Sequence, residues 1–163
     1  MLSQALTNEL KNEAENTRKM VDRVPFDKWD WKPHEKSMSL GKLTNHIVDM
    51  MKWIPVTLSG IGIDFSKQDY EWSKAASKDE LMATLKKNTE DAFDALERAT
   101  QEDFFVDWTL RNGEQVYFTM PRIAVVRSFG INHLIHHRAQ LSVYLRLLDV
   151  PVPGIYGPSA DEM

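Results

Sequence analysis

The sequence predicts an all-α fold, a four-helix bundle, and three observations carry that expectation. Four long segments repeat apolar residues at intervals of three and four, the spacing of one face of an α-helix. One of them opens with a reciprocal capping signature, Ser77 followed by Glu80. A parallel α/β sheet has little support, because the alternation of strands and the glycine-rich dinucleotide loop it needs cannot be found. With 163 residues the chain fits one domain, residues 1–163, with room for a sizeable core and no repeat or linker to divide it.

The first helix is expected from Leu2 to about Val21, where Leu2, Leu6, Leu10, Ala14, Thr17 and Val21 share a face. The following "DRVPFDKWDWKPHEKSMS" contains two prolines and reads as a connection, with Phe26, Trp29 and Trp31 suited to cover one end of the core. A second helix is expected from near Ser39 to about Leu58 along Leu43, Ile47, Met50 or Met51, Ile54 and Leu58. Pro55 should kink or shorten its last turn, and Gly60 or Gly62 should end it. The third helix starts near Lys78 and continues its stripe through Leu81, Leu85, Thr89 or Ala92, and Leu96 to about Ala99.

Aromatic and apolar residues then flank Asn112-Gly113, a favoured turn pair, so this stretch reads as a short hairpin or an extended covering loop. The fourth helix is expected from about Pro121, tolerated in a first turn, to about Leu148. It would place Ile123, Val126, Gly130, His133, His137, Leu141 and Tyr144 on one broad face. Residues 149–163, rich in proline and glycine, form a covering or mobile tail.

Composition narrows the function. Hydrophobic residues at 42% and charged residues at 27% are ordinary globular usage. A formal charge of -4 offers no general attraction to phosphate backbones or anionic lipid, so neither nucleic acid nor membrane is an expected partner. Cysteine is absent, which excludes a disulfide framework and a thiolate nucleophile and leaves any metal to nitrogen and oxygen ligands. The N-terminal segment has no apolar run long enough for a signal peptide or a span, so the expected location is cytoplasmic.

The stretch "FGINHLIHHRAQL" holds three of the five histidines. His133 and His137 are four residues apart, so on a helix they point the same way with roughly 5 to 6 Å between their β-carbons. His136 lies off that line. Catalytic zinc commonly takes three protein ligands, and His46, at the inward edge of the second helix, is the best-placed third. His34 sits in the proline-bearing connection, where its geometry is less fixed. The spacing alone is modest evidence for a metal, and the alternative is a set of neutral, hydrogen-bonded histidines, one or two of them partly exposed.

Around this trio, Asp49 can orient a ligand or handle a proton, or be a solvent-facing helix carboxylate. Arg138 can pair with a carboxylate, bind an anionic substrate or face solvent, and Gln140 can hydrogen-bond within the bundle. With His136 they are candidates to support the ligands rather than to react. Trp29, Trp31, Tyr117, Phe118 and Tyr156 can border an apolar pocket or simply cap the bundle.

The segments "SLGKLTNHIVDM", "NHLIHHRAQL" and "SVYLRLLDVPVPGIYGPSADE" resemble the DinB-like, or DNA-damage-inducible, metalloprotein family, which is distinct from the DNA polymerase of the same name. The resemblance implies a DinB/YfiT-like bundle of up-down-down-up topology, frequent homodimers, and a divalent metal, zinc or nickel, on His46, His133 and His137. Ala139 stands where the common family form has glycine, which removes no ligand. The implied activity is that of a metal-dependent hydrolase or of a transferase using a low-molecular-weight thiol cosubstrate, acting on a small molecule. No catalytic acid or base is identifiable. The alternative is a non-enzymatic metal- or ligand-binding stress-response protein.

Overall fold

The computed structural model describes residues 1–67 and 72–163. Helix α1 spans Leu2–Asp22, α2 Leu40–Met50, α3 Trp53–Ser59 and α4 Lys78–Arg98. The fourth long rod is built from α5 (Arg122–Val125), a π-helical turn (Val126–Asn132) and α6 (His133–Leu147) in direct succession. Helix α1 packs on α4 and α6, and α2 packs between α4 and α6. The predicted stripe of α1 lies inward, with Leu6, Leu10, Ala14, Thr17 and Val21 buried.

The start of α4 forms as its sequence dictates. Ser77 Oγ accepts from Glu80 N at 3.2 Å, and the Glu80 carboxylate reaches back to accept from Ala76 N at 2.8 Å, one residue further out than the usual reciprocal pair.

The second helix departs from expectation in position. It breaks at Met51 and Lys52, upstream of Pro55, rather than bending in its last turn. A proline removes the bond to the carbonyl four residues earlier and its ring crowds that carbonyl, so the disturbance falls on Met51. The chain tightens there: Lys52 N donates to Asp49 O and Ile54 N to Met51 O. Val48 O, released from its usual partner, accepts from the buried Asn88 of α4 at 3.1 Å.

The hairpin forms, and it belongs to a small sheet that the sequence did not reveal. Strands β2 (Asp107–Asn112) and β3 (Gln115–Pro121) are antiparallel, and β1 (Gly62–Asp64) adds to β2 in parallel. The two-residue loop is Gly113-Glu114, and Gly113 has φ +59°, a backbone state that suits glycine. Ile63, Trp108, Leu110 and Val125 make a second small core beneath this sheet, separate from the bundle core. The strand β1 was hidden because three residues give no usable alternation.

The tail is fastened rather than loose. Asp161 pairs with Arg146 at 2.6 Å and accepts from Val152 N at 2.8 Å, and Val152 and Ile155 pack on the bundle core. Among the described residues, no helix is long and apolar enough to cross a membrane.

Candidate metal centre

His46 comes from α2, His133 and His137 from α6, and one ring nitrogen of each lies within 4.8 Å of the other two. The ring centroids of His46 stand 5.3 Å from those of His133 and 4.5 Å from those of His137. The i,i+4 spacing acts as expected, since His133 and His137 rings are 4.6 Å apart.

Hydrogen bonds fix which atoms face inward. His137 Nδ1 meets Gln140 Oε1 at 2.7 Å, so Nδ1 carries the hydrogen and Nε2 presents its lone pair to the cluster. His133 Nε2 lies 2.8 Å from His137 Nε2, while His133 Nδ1 is buried with no hydrogen-bond partner among the described residues. With the rings alone, the short contact requires His133 Nε2–H to donate to His137. A cation would take the place of that hydrogen, and His133 would carry its proton on Nδ1 instead. Bond lengths of 2.0–2.1 Å in a tetrahedron place nitrogens about 3.4 Å apart. The 2.8 Å pair would have to open slightly.

The electrostatics suit metal ligation. Burial first, then His137 and His133, push the His46 pKa down to about 4, and Asp49 opposes this only in part. Burial also lowers His133 and His137, with the Gln140 contact resisting it at His137. All three imidazoles are therefore neutral at pH 7, the state that binds metals.

Of the supporting residues, Gln140 touches the cluster directly, and its Nε2 donates to His136 Nε2 at 3.1 Å. His136 itself is exposed. Arg138 points the other way, into α1, where it pairs with Glu13 at 2.6 Å and donates to Glu13 O and the Tyr156 hydroxyl. His34 is exposed in its loop. Asp49 is fully buried, not solvent-facing: its carboxylate accepts from Ser73 N at 2.7 Å and Ser73 Oγ at 2.6 Å, and pairs with Lys52 Nζ at 2.6 Å.

The five aromatic residues singled out from the sequence occupy other surroundings. Trp29 lies on the α2 backbone at Gly41, where an added β-carbon would fall 2.3 Å from its indole. Trp31 meets Tyr144 edge-on, and Tyr117, displaced by a bulge between Leu110 and Arg111, tilts toward Phe65. Phe118 stacks on Trp108 and Phe129 in the sheet core, and Tyr156 hydrogen-bonds Glu13. Among the described residues, the indole against His46 is that of Trp72, at 5.0 Å between centroids. Sequence reading missed it because Trp72 lies in no periodic segment.

A model of the DinB family matches residues 1–163 in full. The chain belongs to the DinB family. This family is distinct from the DNA polymerase that shares its name. The chain is 27% identical over 154 residues to the uncharacterized protein YrdA of Bacillus subtilis, covering 92% of this chain and 85% of that one. A DinB-like protein from Bacillus cereus superposes with TM-score 0.70 at 26% identity, over 94% of this chain and 97% of its own. The DinB-like YjoA of B. subtilis gives TM-score 0.70 at 19% identity over 90% and 95% of the two chains. A DinB-family structure from Exiguobacterium sibiricum gives 0.67 at 20% over 99% and 97%. The four main helices thus form a DinB/YfiT-like helical fold, with the small sheet set beside it.

Proposed function

We propose that this DinB-family chain is a divalent-metal-dependent enzyme, with His46, His133 and His137 as the metal ligands and zinc or nickel as the ion. The observation that carries the reading is the convergence of three neutral imidazoles from two helices, one of them oriented by Gln140. A bound ion would supply Lewis acidity, lowering the pKa of a thiol or water that completes its coordination. Three protein ligands leave that coordination open.

Between the two chemistries, the surroundings favour transfer from a small thiol over hydrolysis. Hydrolysis benefits from a side chain that moves protons to the leaving group. Among the described residues, the titratable groups beside the cluster are engaged elsewhere: Asp49 by Ser73 and Lys52, and His136 by Gln140. A thiol needs only to lose its proton, and the chain, having no cysteine, must receive the sulfur from outside. The product would be a thioether, formed as the thiol releases its proton to solvent, its sulfur attacks an electrophilic carbon and the leaving group departs with its electron pair. A homodimer in the cytoplasm completes the proposed setting.

Metal-reconstituted protein should bind about one ion per chain and turn over electrophiles only when a small thiol is added. Cleavage of ester or amide substrates without thiol would establish the hydrolase instead. Tight metal binding with no turnover in either assay would make the protein a binding or stress-response module.

A further inference from the structure

The second half of helix α2 is almost wholly buried. From Leu43 to Met50 each residue is buried except His46. Within that stretch His46 is the residue that reaches the surface, and what borders it borders the histidine cluster.

The border is held by two side chains of α2 itself, one turn apart. Asn45 Oδ1 accepts from Ala75 N at 3.1 Å, while its Nδ2 donates to Gly41 O at 3.0 Å. Asp49 takes both the N–H and the hydroxyl of Ser73, and Lys52 Nζ, besides pairing with Asp49, donates to Ser73 Oγ at 3.2 Å. A fully buried carboxylate is costly unless its oxygens are engaged by donors and a cation, and these contacts meet that condition. Their structural product is the placement of Ser73–Ala75 across α2. Trp72, the residue before this strap, is thereby set against His46 with an interplanar angle of 52°, yet stays 47% exposed. A large indole kept half in water against a candidate ligand histidine offers apolar surface beside that ring.

We infer that Trp72 is the apolar wall of the subsite for the metal's exogenous ligand, and that Asp49 and Asn45 are positioning residues that hold it there. The ligand class is a small molecule whose metal-binding donor is carried on a flat or otherwise apolar body. This rests on the metal-centre reading above.

The test uses the full chain loaded with Co(II), whose visible spectrum reports ligand exchange, titrated anaerobically with benzenethiol and with mercaptoethanol. Both offer the same donor on different bodies. Trp72→Ala should weaken benzenethiol about 5- to 10-fold while mercaptoethanol changes less than about 2-fold, the range expected for loss of an aromatic contact. Trp72→Phe should restore most of the preference. Ser73→Ala and Asp49→Asn should lower the same ratio without reducing Co(II) stoichiometry, a selectivity change that a purely structural role would not produce. An unchanged ratio in Trp72→Ala with Co(II) still bound overturns the wall. Failure of the wild-type chain to bind Co(II) overturns the metal centre instead, and it is seen before any thiol is added.

Discussion

His137 and Arg138 are neighbours on α6, both buried, and they look into opposite kinds of surroundings. Arg138 enters a closed arrangement in which its guanidinium, the Glu13 carboxylate, Thr17 and the Tyr156 hydroxyl satisfy one another. His137 enters an open one, where its Nε2 faces His133 Nε2 at 2.8 Å and His46 completes a trio of imidazoles. The difference separates two uses of polarity inside a bundle. A saturated network fixes the fold, joining α1, α6 and the tail; a set of converging ring nitrogens keeps capacity for a ligand.

The contrast breaks most sharply at Glu13. Glu13→Ala should cost about 3–5 kcal/mol in urea unfolding, because Arg138 is left charged and buried, whereas the metal content of the folded fraction should not change. A milder loss in the double variant Glu13→Leu with Arg138→Met would confirm that the penalty comes from the stranded charge. On the other side, His137→Ala should weaken metal binding by about 100-fold or more, since loss of an outer partner alone typically costs 10–100-fold. Its effect on ion-free stability should be small; the reverse pattern would mean that His137 is a structural residue like its neighbour. Gln140→Ala should cost about 10-fold in affinity through misorientation of the His137 ring.

Acid sharpens the same comparison. Folding lowers the His46 pKa from its ordinary 6.5 to about 4, and lowers His133 and His137 as well. Protonation then favours the unfolded chain, so ion-free stability should be flat above pH 6.5 and fall as pH drops through the window toward 4. Stability that instead rose on acidification would contradict the burial of these rings. The smallest change belongs to His136→Ala, expected to alter metal affinity by about 2-fold at most, as for other exposed substitutions. A loss matching that of His137→Ala would mean that the wrong face of α6 had been assigned.

Much of this was legible in the sequence where local rules act alone. The apolar stripe of α1, the Ser77 cap and the i,i+4 histidines are each set within one helix, and the structure reproduces them. His46 was legible because its helix is strongly periodic around it. Asp49 was not, since its burial depends on Ser73, 24 residues away across a segment with no periodicity. The same long-range strap concealed Trp72. The Pro55 break was anticipated but misplaced, because the effect of a proline lands on the preceding turn.

The π-helical turn at Val126–Asn132 makes chain length itself a variable in this protein. It sits between Val125, which faces the sheet core, and the histidines, which face α2. Removing any one residue from the turn would let it relax to α-helix and rotate everything after it by about 100°. Such a deletion would preserve helix content by circular dichroism while carrying His133 and His137 away from His46. Natural variants along this rod should therefore tolerate substitutions within the turn more readily than single-residue gaps, and comparison of DinB-family sequences at these seven positions would show whether they do.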